Sequence, residues 1–309
     1  MSDTEATELP RGIALAWGVA ANPQRGPKRE MSVERIVEAA VELADADGIG
    51  AVSMAAVAAK LGFTPMSLYR YVTAKDDLLL LMQEYATGLP PEEHLELDGW
   101  RDKLRALFEA QVLCYLRHPW MLSLPITGSP ITPNSSAWMD AGLTALEETP
   151  LNADERLAVA LAMTGHARWC GIVQAGYAEQ ARRTGLSEAQ VSANEAELFD
   201  RVIEAAEFPA LRHAIDEGVF TSVADPFRFA VERSLDGVAT YISGLERGES
   251  HAPPHSWLEV DAELEADRRV REAQKAVREA EKALRAARKV ERQVLRDAAE
   301  RVAKAKRQG

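Results

Sequence analysis

The feature that most constrains the fold is a pair of short helical segments that meet at Gly62. The first segment, SMAAVAAKLG, begins at Ser53, whose hydroxyl suits the capping position of a helix, and it ends at Gly62. The second has Thr64 as its cap and Pro65 at the first helical position, where no N–H is needed, and it runs to about Tyr71. Two short helices joined by a tight glycine turn are typical of a helix-turn-helix unit.

Further helical segments flank this pair. The segment SVERIVEAAVELADADG begins at Ser32 and carries apolar residues at helical spacing. Another helix begins near Lys75 and has two acidic residues in its first turn, which the helix dipole favours. Together these segments predict a three-helix helix-turn-helix domain over residues 31–78, in which Leu68 and Val72 point into a small core.

The remaining sequence indicates an all-α fold. Long amphipathic segments fill residues 79–248, and no stretch alternates between apolar and polar residues as a strand does. We expect this region to be a larger helical domain. Its two longest helices are predicted over residues 152–185 and 225–248.

The N-terminal region, residues 1–30, looks like a flexible arm. It contains prolines and a cluster of three cations at Arg25, Lys28 and Arg29. A basic arm before a helix can reach into a DNA groove, and a solvated linker would have the same composition. Both interpretations stay open on the sequence.

The C-terminal region, residues 258–309, is predicted to be one long charged helix. Acid–base pairs at i,i+4 spacing support it, namely Asp267–Arg271, Glu281–Arg285, Asp297–Arg301 and Glu300–Lys304. A near-heptad apolar seam is traced by Val270, Ala273, Val277, Ala280, Leu284, Ala287 and Val294. The seam is rich in alanine and interrupted by charges, so a coiled coil and a solvated helix are both open.

The charge of the chain is unevenly distributed. The 309 residues carry a formal net charge of −12. From Glu259 to the end there are 15 Lys and Arg against 11 Asp and Glu, a net of +4, which leaves −16 for the remainder. An acidic body argues against nucleic-acid binding over the whole surface. Because salt screens charges beyond about 10 Å at 0.1 M, one local face such as residues 61–75, which contain no acid, can still bind DNA.

Composition and motifs also exclude several classes of protein. Cys114 and Cys170 are the only cysteines, too few for a disulfide framework or a zinc site, and the six histidines are scattered along the chain. The sequence lacks the nucleophile elbow, P-loop and zinc-protease motifs. We therefore predict no enzyme activity, no cofactor and no metal. With no signal peptide and no membrane span visible, we expect a cytoplasmic protein.

Residues 32–78 resemble the tetracycline-repressor (TetR) family of bacterial transcription regulators. The family motif is present as Leu61-Gly62, a polar turn over residues 64–67, Leu68-Tyr69, Arg70-Tyr71 and Lys75. Residues 98–248 resemble the C-terminal domain of that family in the number and length of their helices. The tail over residues 258–309 is not a usual part of the family.

The resemblance implies a homodimer in which each chain places one recognition helix in the major groove of a palindromic operator. It also implies a small-molecule pocket within residues 79–248, whose occupancy moves the two heads apart and releases the DNA. Carried over by position, the DNA-contacting residues are Ser53, Thr64, Pro65, Met66, Ser67, Tyr69, Arg70, Tyr71 and Lys75. Of these, Tyr69 and Lys75 would hold phosphates. Ala55 and Pro65 depart from the residues of the tetracycline repressor itself, so a different operator is expected.

The candidate ligand-binding residues cluster on the helix predicted over residues 152–185. They are His166, Trp169, Cys170, Gln174 and Tyr177, and outside that helix Tyr115, His118 and Trp138. Several fall near one face of the helix, where they could form a pocket wall. An ordinary core or dimer stripe would show the same pattern.

Two functional hypotheses follow. The first is a ligand-responsive transcriptional repressor that binds DNA as a dimer, with residues 152–185 and 225–248 forming the dimer bundle. The second is an all-α protein-interaction scaffold that recruits a partner through a coiled-coil tail.

Overall fold

The computed structural model describes residues 9–19, 31–126, 131–249 and 267–308. Within these ranges all regular structure is helical, which confirms the all-α prediction. The chain divides into two compact units, residues 1–250 and 251–309. The basic cluster of the expected N-terminal arm and residues 258–266 of the tail lie outside the described residues.

The helix-turn-helix region is built from three helices. These are α2 (Val33–Asp47) and α3 (Met54–Leu61), which have side-chain caps, and α4 (Pro65–Leu68), which has none, with a 3₁₀ turn at Ile49–Ala51. The Oγ atom of Ser32 accepts a hydrogen bond from the backbone N–H of Arg35 (3.3 Å), so the predicted cap of α2 is confirmed. The apolar stripe of α2 is buried against α3 and the following helix, α5 (Lys75–Thr87).

The N-terminal region contains a helix that we did not expect. The short helix α1 (Arg11–Ala16) lies within the predicted flexible arm and packs against α5. Its apolar residues gain burial there, and Gly12 approaches so closely that an added Cβ would lie 2.8 Å from the Oδ1 atom of Asp77. Trp17, just after α1, donates from Nε1 to the carbonyl oxygen of Ile131 (2.8 Å).

The helix α5 joins the helix-turn-helix region to the rest of the first unit. Its residues Leu78 and Met82 are fully buried in the same apolar cluster as α2 and α3. That cluster also contains Trp120, which lies in the 3₁₀ turn at Pro119–Ser123. Asp45 of α2 accepts hydrogen bonds from Trp120 Nε1 (2.7 Å) and pairs with His118 Nδ1 (2.8 Å). Since α5 runs through the predicted domain boundary at residue 78, the apolar cluster of the helix-turn-helix region extends into the larger helical region.

The larger helical region has a second apolar cluster, centred on Leu104, Leu146 and Leu235. Its helices are α6 (Gly99–Arg117), α7 (Pro133–Ala145), α8 (Ala153–Thr184), α9 (Glu188–Val202), α10 (Pro209–Asp216) and α11 (Pro226–Glu246). The two long predicted helices are confirmed as α8 and α11. A reciprocal capping box between Asn152 and Glu155 begins α8.

A charge network fastens α11 to α6. Glu232 of α11 accepts from Arg101 Nη2 and Arg105 Nε, both at 2.7 Å, and Asp236 accepts from Arg101 at 2.6 Å. Hydrogen bonds from the two guanidinium groups lower the pKa of Glu232 from 4.5 to about 2. Charge-assisted bonds of this kind are roughly twice as strong as neutral ones.

The second unit contains the long helix α12 (Arg268–Gln308). The expected pair Asp267–Arg271 does not form, because Asp267 Oδ1 instead caps the helix by accepting from the backbone N–H groups of Arg269 (2.7 Å) and Val270 (3.2 Å). The ion pair in this first turn is Arg268–Glu272, at 2.9 Å.

We expect Glu232→Gln to lower the free energy of unfolding by about 2–3 kcal/mol at pH 7. The native pKa lies below the ordinary value, so the carboxylate stabilises the fold above about pH 4.5, and this contribution is lost as the pH falls toward 2. The difference between wild type and variant should therefore shrink with acidification. Urea unfolding at pH 7 and at about pH 3 measures it.

The matched control is Glu246→Gln, an exposed carboxylate at the end of the same helix. It should leave stability unchanged at both pH values. Equal unfolding free energies for Glu232→Gln and wild type at pH 7 would show that the network contributes nothing.

Candidate nucleic-acid interface and internal cavity

The turn between α3 and α4 has the geometry that the sequence predicts. Gly62 adopts a left-handed conformation (φ 77°), which other residues rarely adopt. Its N–H bonds to the carbonyl of Ala59 (3.1 Å), and the N–H of Phe63 bonds to that of Ala58 (2.9 Å). These bonds end α3 and redirect the chain, so α4 begins only three residues after α3 ends.

The caps of the two helices differ. Ser53 Oγ accepts from the backbone N–H of Ala56 (3.1 Å), which confirms the predicted cap of α3. Thr64 occupies the capping position of α4, but its side chain makes no bond to the helix backbone. Its hydroxyl instead shares a hydrogen bond with the hydroxyl of Ser67 (3.0 Å). The predicted cap of α4 is therefore right in position and wrong in its bonding.

The helix α4 is shorter than expected, since it ends at Leu68 and not at Tyr71. The carbonyl of Leu68 accepts from the N–H groups of both Tyr71 (2.8 Å) and Val72 (3.0 Å), which turns the chain. Leu68 and Val72 are fully buried, as predicted. Burial of these two anchors on either side of the turn favours a tight turn over a longer helix.

The predicted DNA-contacting residues divide by exposure. Ser53, Thr64, Pro65, Met66, Tyr69, Arg70 and Lys75 are exposed, and Met66 is 76% exposed. Ser67 and Tyr71 are half-buried, and the ring of Tyr71 packs against the apolar cluster of α2 and α5. The structure thus brings these residues together around α4 and leaves most of them open to solvent.

The positive charges near α4 are not neutralised. Among the described residues, no carboxylate lies within ion-pair distance of Arg70 or Lys75. Lys60, at the end of α3, does have such a partner, Glu42 of α2, at 2.9 Å. The N-terminus of α4 adds the partial positive charge of the helix dipole, with no acid in its first turn. This face suits phosphate oxygens.

An internal cavity lies between α5, α6, α7 and α8. Its volume is about 170 Å³. The lining residues are Gln83, Thr87, Leu104, Leu107, Phe108, Gln111, Cys114, Tyr115, Met121, Ser135, Trp138, Met139, Gly142, Ala160, Leu161, Met163 and Thr164. None of them carries a charge at pH 7, and burial raises the pKa of both the Cys114 thiol and the Tyr115 hydroxyl.

Polar groups line the cavity at a few points. Gln111 Nε2 donates to Thr164 Oγ1 (3.3 Å), which joins α6 to α8 across the cavity wall. Trp138 Nε1 donates to the carbonyl oxygen of Gly88 (3.0 Å), which ties α7 to the end of α5. An apolar cavity with a few fixed amide and hydroxyl groups is typical of small-molecule sites.

Of the predicted ligand-binding residues, Tyr115 and Trp138 line the cavity and the other six do not. His118 is bound to the carboxylate of Asp45, and His166 Nε2 lies 3.0 Å from Ser234 Oγ. Trp169 is 59% exposed. Tyr177 donates to Glu195, and Gln174 donates to the buried Cys170 (3.2 Å).

The cavity uses a stretch of α8 that begins about one turn before the predicted cluster. Ala160, Met163 and Thr164 line the cavity. Nothing in the sequence distinguishes these three residues from ordinary residues of a helix core. Gln83 and Gln111 were also missed. The one available signal was a polar residue on the inner, apolar side of an amphipathic helix, which Gln111 of α6 shows.

The helix α5 belongs to both the helix-turn-helix core and the cavity. Leu78 and Met82 are buried with α2 and α3, while Gln83 and Thr87 line the cavity. The carboxylate of Glu84 also accepts from the backbone N–H of Asn134 at the start of α7 (2.7 Å). One rigid element therefore contributes both to the cavity wall and to the apolar cluster that contains residues of α3 and α4.

The outer face of α8 carries an exposed stripe at alternating spacings of four and three residues. We call it the α8 stripe, and it consists of Ala158, Ala162, Gly165, Trp169, Ile172 and Gly176. This is the seam pattern of packed helices. Small residues at most positions allow another helix to approach closely, and the large ones can insert into gaps between them.

Two other kinds of site were sought in the described part of the chain. No group of three or more His, Cys, Asp or Glu side chains there could hold a metal ion. No described helix combines the length and apolarity that crossing a membrane requires.

Comparison with known proteins agrees with this geometry. The family model "Bacterial regulatory proteins, tetR family" matches residues 36–82, and the model "Tetracyclin repressor-like, C-terminal domain" matches residues 91–242. The HTH-type transcriptional repressor DrrR1 of Streptomyces coeruleorubidus is 33% identical over 79% of this chain and 90% of its own length. An HTH-type transcriptional regulator of Saccharopolyspora erythraea is 32% identical over 54% of this chain and 70% of its own.

Solved structures share the fold. The TetR-family protein ActR of Streptomyces coelicolor, solved in complex with (S)-DNPA, aligns with 72% of this chain and 100% of its own at a TM-score of 0.53 and 22% identity. ActR in complex with actinorhodin aligns with 69% of this chain and 98% of its own at the same TM-score and 23% identity.

Proposed function

Because the chain belongs to the tetR family of bacterial regulatory proteins, a family of DNA-binding transcription regulators, we propose that it represses transcription from a palindromic operator and leaves that operator when a small molecule fills the cavity. The observation that carries this proposal is the position of α5. One face of that helix is buried against α2, in the apolar cluster that also contains residues of α3 and α4, and its last two turns form part of the cavity wall.

The DNA contact is assigned to the exposed residues around α4. Arg70 is long enough to make a bidentate bond to a guanine edge, the commonest specific contact in the major groove. Lys75 and Tyr69 suit phosphates, because both follow the last residue of α4 and therefore lie to the side of the residues that would enter the groove. Thr64 and Met66 add a methyl and a thioether that can contact a thymine methyl group. Tyr71 is half-buried and acts mainly by supporting the turn.

The effector is proposed to be an uncharged, largely apolar molecule. A charged group in a cavity without a charged lining would lose its hydration and gain no partner, which costs several kcal/mol. The amide groups of Gln83 and Gln111 can bond to carbonyl or hydroxyl groups of such a ligand. ActR, which has a similar fold, was solved in complex with (S)-DNPA and with actinorhodin, which supports a small-molecule effector for this chain.

Release of DNA is proposed to follow from a shift in populations. A ligand changes the arrangement of the two heads only if it binds one arrangement more tightly than the other. The bonds from α7 to α5, at Glu84 and Gly88, make the position of α5 depend on how the cavity is filled. A tilt of α5 would move the DNA-facing surface of each head.

The homodimer is proposed to form through the α8 stripe together with α11. The stripe exposes Trp169 and Ile172, large apolar side chains that a monomer would leave in water. His166 and Ser234 are within hydrogen-bond distance of each other, so α8 and α11 lie side by side. Two such pairs related by a twofold axis make a four-helix bundle.

We infer that the protein acts by binding DNA and a small molecule and does not catalyse a reaction. We also infer that it acts in the cytoplasm, where bacterial DNA lies. The family is one of transcription regulators, which supports both inferences. The scaffold hypothesis is not favoured, because the two family models together cover both the helix-turn-helix and the helical body.

Two single substitutions test the DNA assignment. Lys75→Ala should weaken binding to every sequence and make the salt dependence shallower by about one ion, since one phosphate contact is lost. Arg70→Ala should cost about 1–3 kcal/mol and also relax base preference. The measurement is fluorescence anisotropy on DNA from upstream of the protein's own gene and on a scrambled duplex, across a salt titration.

Arg183→Ala, an exposed cation at the far end of α8, serves as the control and should bind as wild type does. If Lys75→Ala and Arg70→Ala both keep wild-type affinity for the preferred duplex, the assignment of the α4 face is wrong.

The cavity assignment is tested with pairs of planar aromatic compounds that differ only as carboxamide and carboxylate. Compounds that release DNA or raise the melting temperature should be the uncharged members, since a buried carboxylate would find no cation in the cavity. Ser135→Phe, which fills the cavity, should abolish these effects, whereas Ser136→Phe, next to it but outside the lining, should not. Release by the carboxylate members alone would refute the proposed ligand class.

The dimer assignment is tested by Trp169→Glu combined with Ile172→Glu. Two carboxylates in an apolar interface face a large desolvation cost, so we expect a helical monomer by light scattering after size exclusion. Leu198→Glu, an equally exposed leucine on α9, should leave the dimer intact. A dimer that survives the double substitution would place the interface elsewhere.

A further inference from the structure

The long helix α12 has a distribution of charge that the helix-turn-helix function does not use. Its 41 residues contain 15 Lys and Arg against 6 Asp and Glu, a net of +9, which leaves −21 for the rest of the chain. Of the 36 Lys and Arg residues of this acidic protein, 15 therefore lie on one helix.

The cations of α12 form a line along the helix, which we call the basic ridge. Its members are Arg271, Lys275, Arg278, Lys282 and Arg285, at alternating spacings of four and three residues, and all five are exposed. In the sequence the same spacing continues at Lys289, Arg292 and Arg296. Spacings of four and three add up to seven, so these cations occupy the same two positions of each heptad from Arg271 to Arg296.

The five described members of the ridge are not neutralised. None lies within ion-pair distance of a described carboxylate. Glu272, the nearest acid to the start of the ridge, pairs with Arg268. On an ordinary solvated helix, acidic and basic side chains alternate along each face. The i,i+4 ion pairs expected from the sequence would have given such an alternation.

The opposite side of α12 is apolar. At 100° per residue, the ridge is centred opposite the seam that contains Val277 and Leu284, which are 57% and 51% exposed. Alanine and valine dominate this seam, and no aromatic residue occurs in the helix. A helix that binds lipid normally carries Trp, Phe and many Leu on its apolar face, so the composition favours a soluble polyanion over a membrane as the partner of the ridge.

We propose that the basic ridge binds the phosphate backbone of double-stranded DNA without reading base sequence. The first and last of the eight positions are 25 residue steps apart, which is about 38 Å along the helix. This length corresponds to about 11 base pairs of duplex. A line of evenly spaced cations matches a polymer whose charge repeats evenly along its axis. The ridge has only Lys and Arg, and the hydrophobic or amide groups that would recognise a particular protein surface are missing from it.

This contact adds to the helix-turn-helix and does not depend on which head residues read the operator. A body of charge −21 repels DNA at long range, and the ridge offsets this repulsion with a local attraction. Each chain then has two DNA contacts, one sequence-specific and one general. The general contact raises the local concentration of duplex around the heads.

The experiment compares two full-length variants that each lose four positive charges. The ridge variant is K275Q with R278Q, K282Q and R285Q. The control variant is R269Q with R288Q, R301Q and K304Q, which removes four cations of α12 at positions outside the ridge spacing. Glutamine is a good helix former, and circular dichroism checks that both keep the helical content of the wild type.

Binding to a random-sequence duplex of about 40 base pairs is measured by fluorescence anisotropy between about 50 and 200 mM salt. We expect the ridge variant to lose about tenfold or more in affinity at low salt and to show a salt slope shallower by about three to four, at 0.9 per phosphate contact. The control variant should keep the slope of the wild type. The same difference should persist in an R70A and K75A background, where the head contact is already weakened.

Three results would overturn the proposal. Equal losses in the ridge and control variants would show that only net charge matters. Tighter DNA binding by the ridge variant would show that the ridge instead covers an acidic surface of its own chain. Unchanged duplex binding together with lost binding to vesicles of phosphatidylserine and phosphatidylcholine would assign the ridge to a membrane surface.

Discussion

The packing of α5 between the apolar cluster of the helix-turn-helix region and the cavity is the interaction on which the rest of the first unit depends. One face of the helix completes the apolar cluster that contains residues of α3 and α4, with Leu78 and Met82 fully buried. Its C-terminal turns reach the cavity through Gln83 and Thr87. Close-packed interiors transmit strain instead of absorbing it. A helix shared in this way is therefore a direct physical link between the cavity and the region that carries α3 and α4.

Polar contacts add direction to this apolar link. Asp45 receives hydrogen bonds from the turn after α6, and Glu84 receives one from the start of α7. Each contact joins an element of the head or of α5 to an element of the helical body. Such bonds are individually modest, at about 1–3 kcal/mol when a charged group takes part, but they fix the register of helices that apolar packing alone would allow to slide.

The charge of the protein is organised locally and not globally. The chain is acidic overall, yet Arg70 and Lys75 are unpaired among the described residues and stand beside the N-terminus of α4. The basic ridge of α12 is a second local concentration of positive charge. Salt at 0.1 M screens interactions between charges that are more than about 10 Å apart. The electrostatic attraction of a surface for DNA therefore depends on the charges close to that surface and not on the net charge of the chain.

The sequence predicted the helices of the head well, because their ends depend on local chemistry. Ser32, Ser53, Gly62 and Pro65 each set a helix terminus through a bond or a dihedral angle within three or four residues. The lining of the cavity was predicted less well, since Tyr115 and Trp138 are the two candidate residues that line it and the other six lie elsewhere. A cavity wall gathers residues from four helices that are distant in sequence, and no local pattern marks which of their faces meet.

The sequence by itself thus determined the all-α class, the helix-turn-helix and the spacing of the basic ridge, since caps, turns and periodicity act between near neighbours. Only the tertiary structure decided that α4 ends at Leu68, that α1 packs on α5, and that His166 and Tyr177 of α8 bond to other side chains. These outcomes depend on which surfaces compete for burial and for hydrogen bonds once the helices assemble. That competition is settled by contacts between residues far apart in the chain.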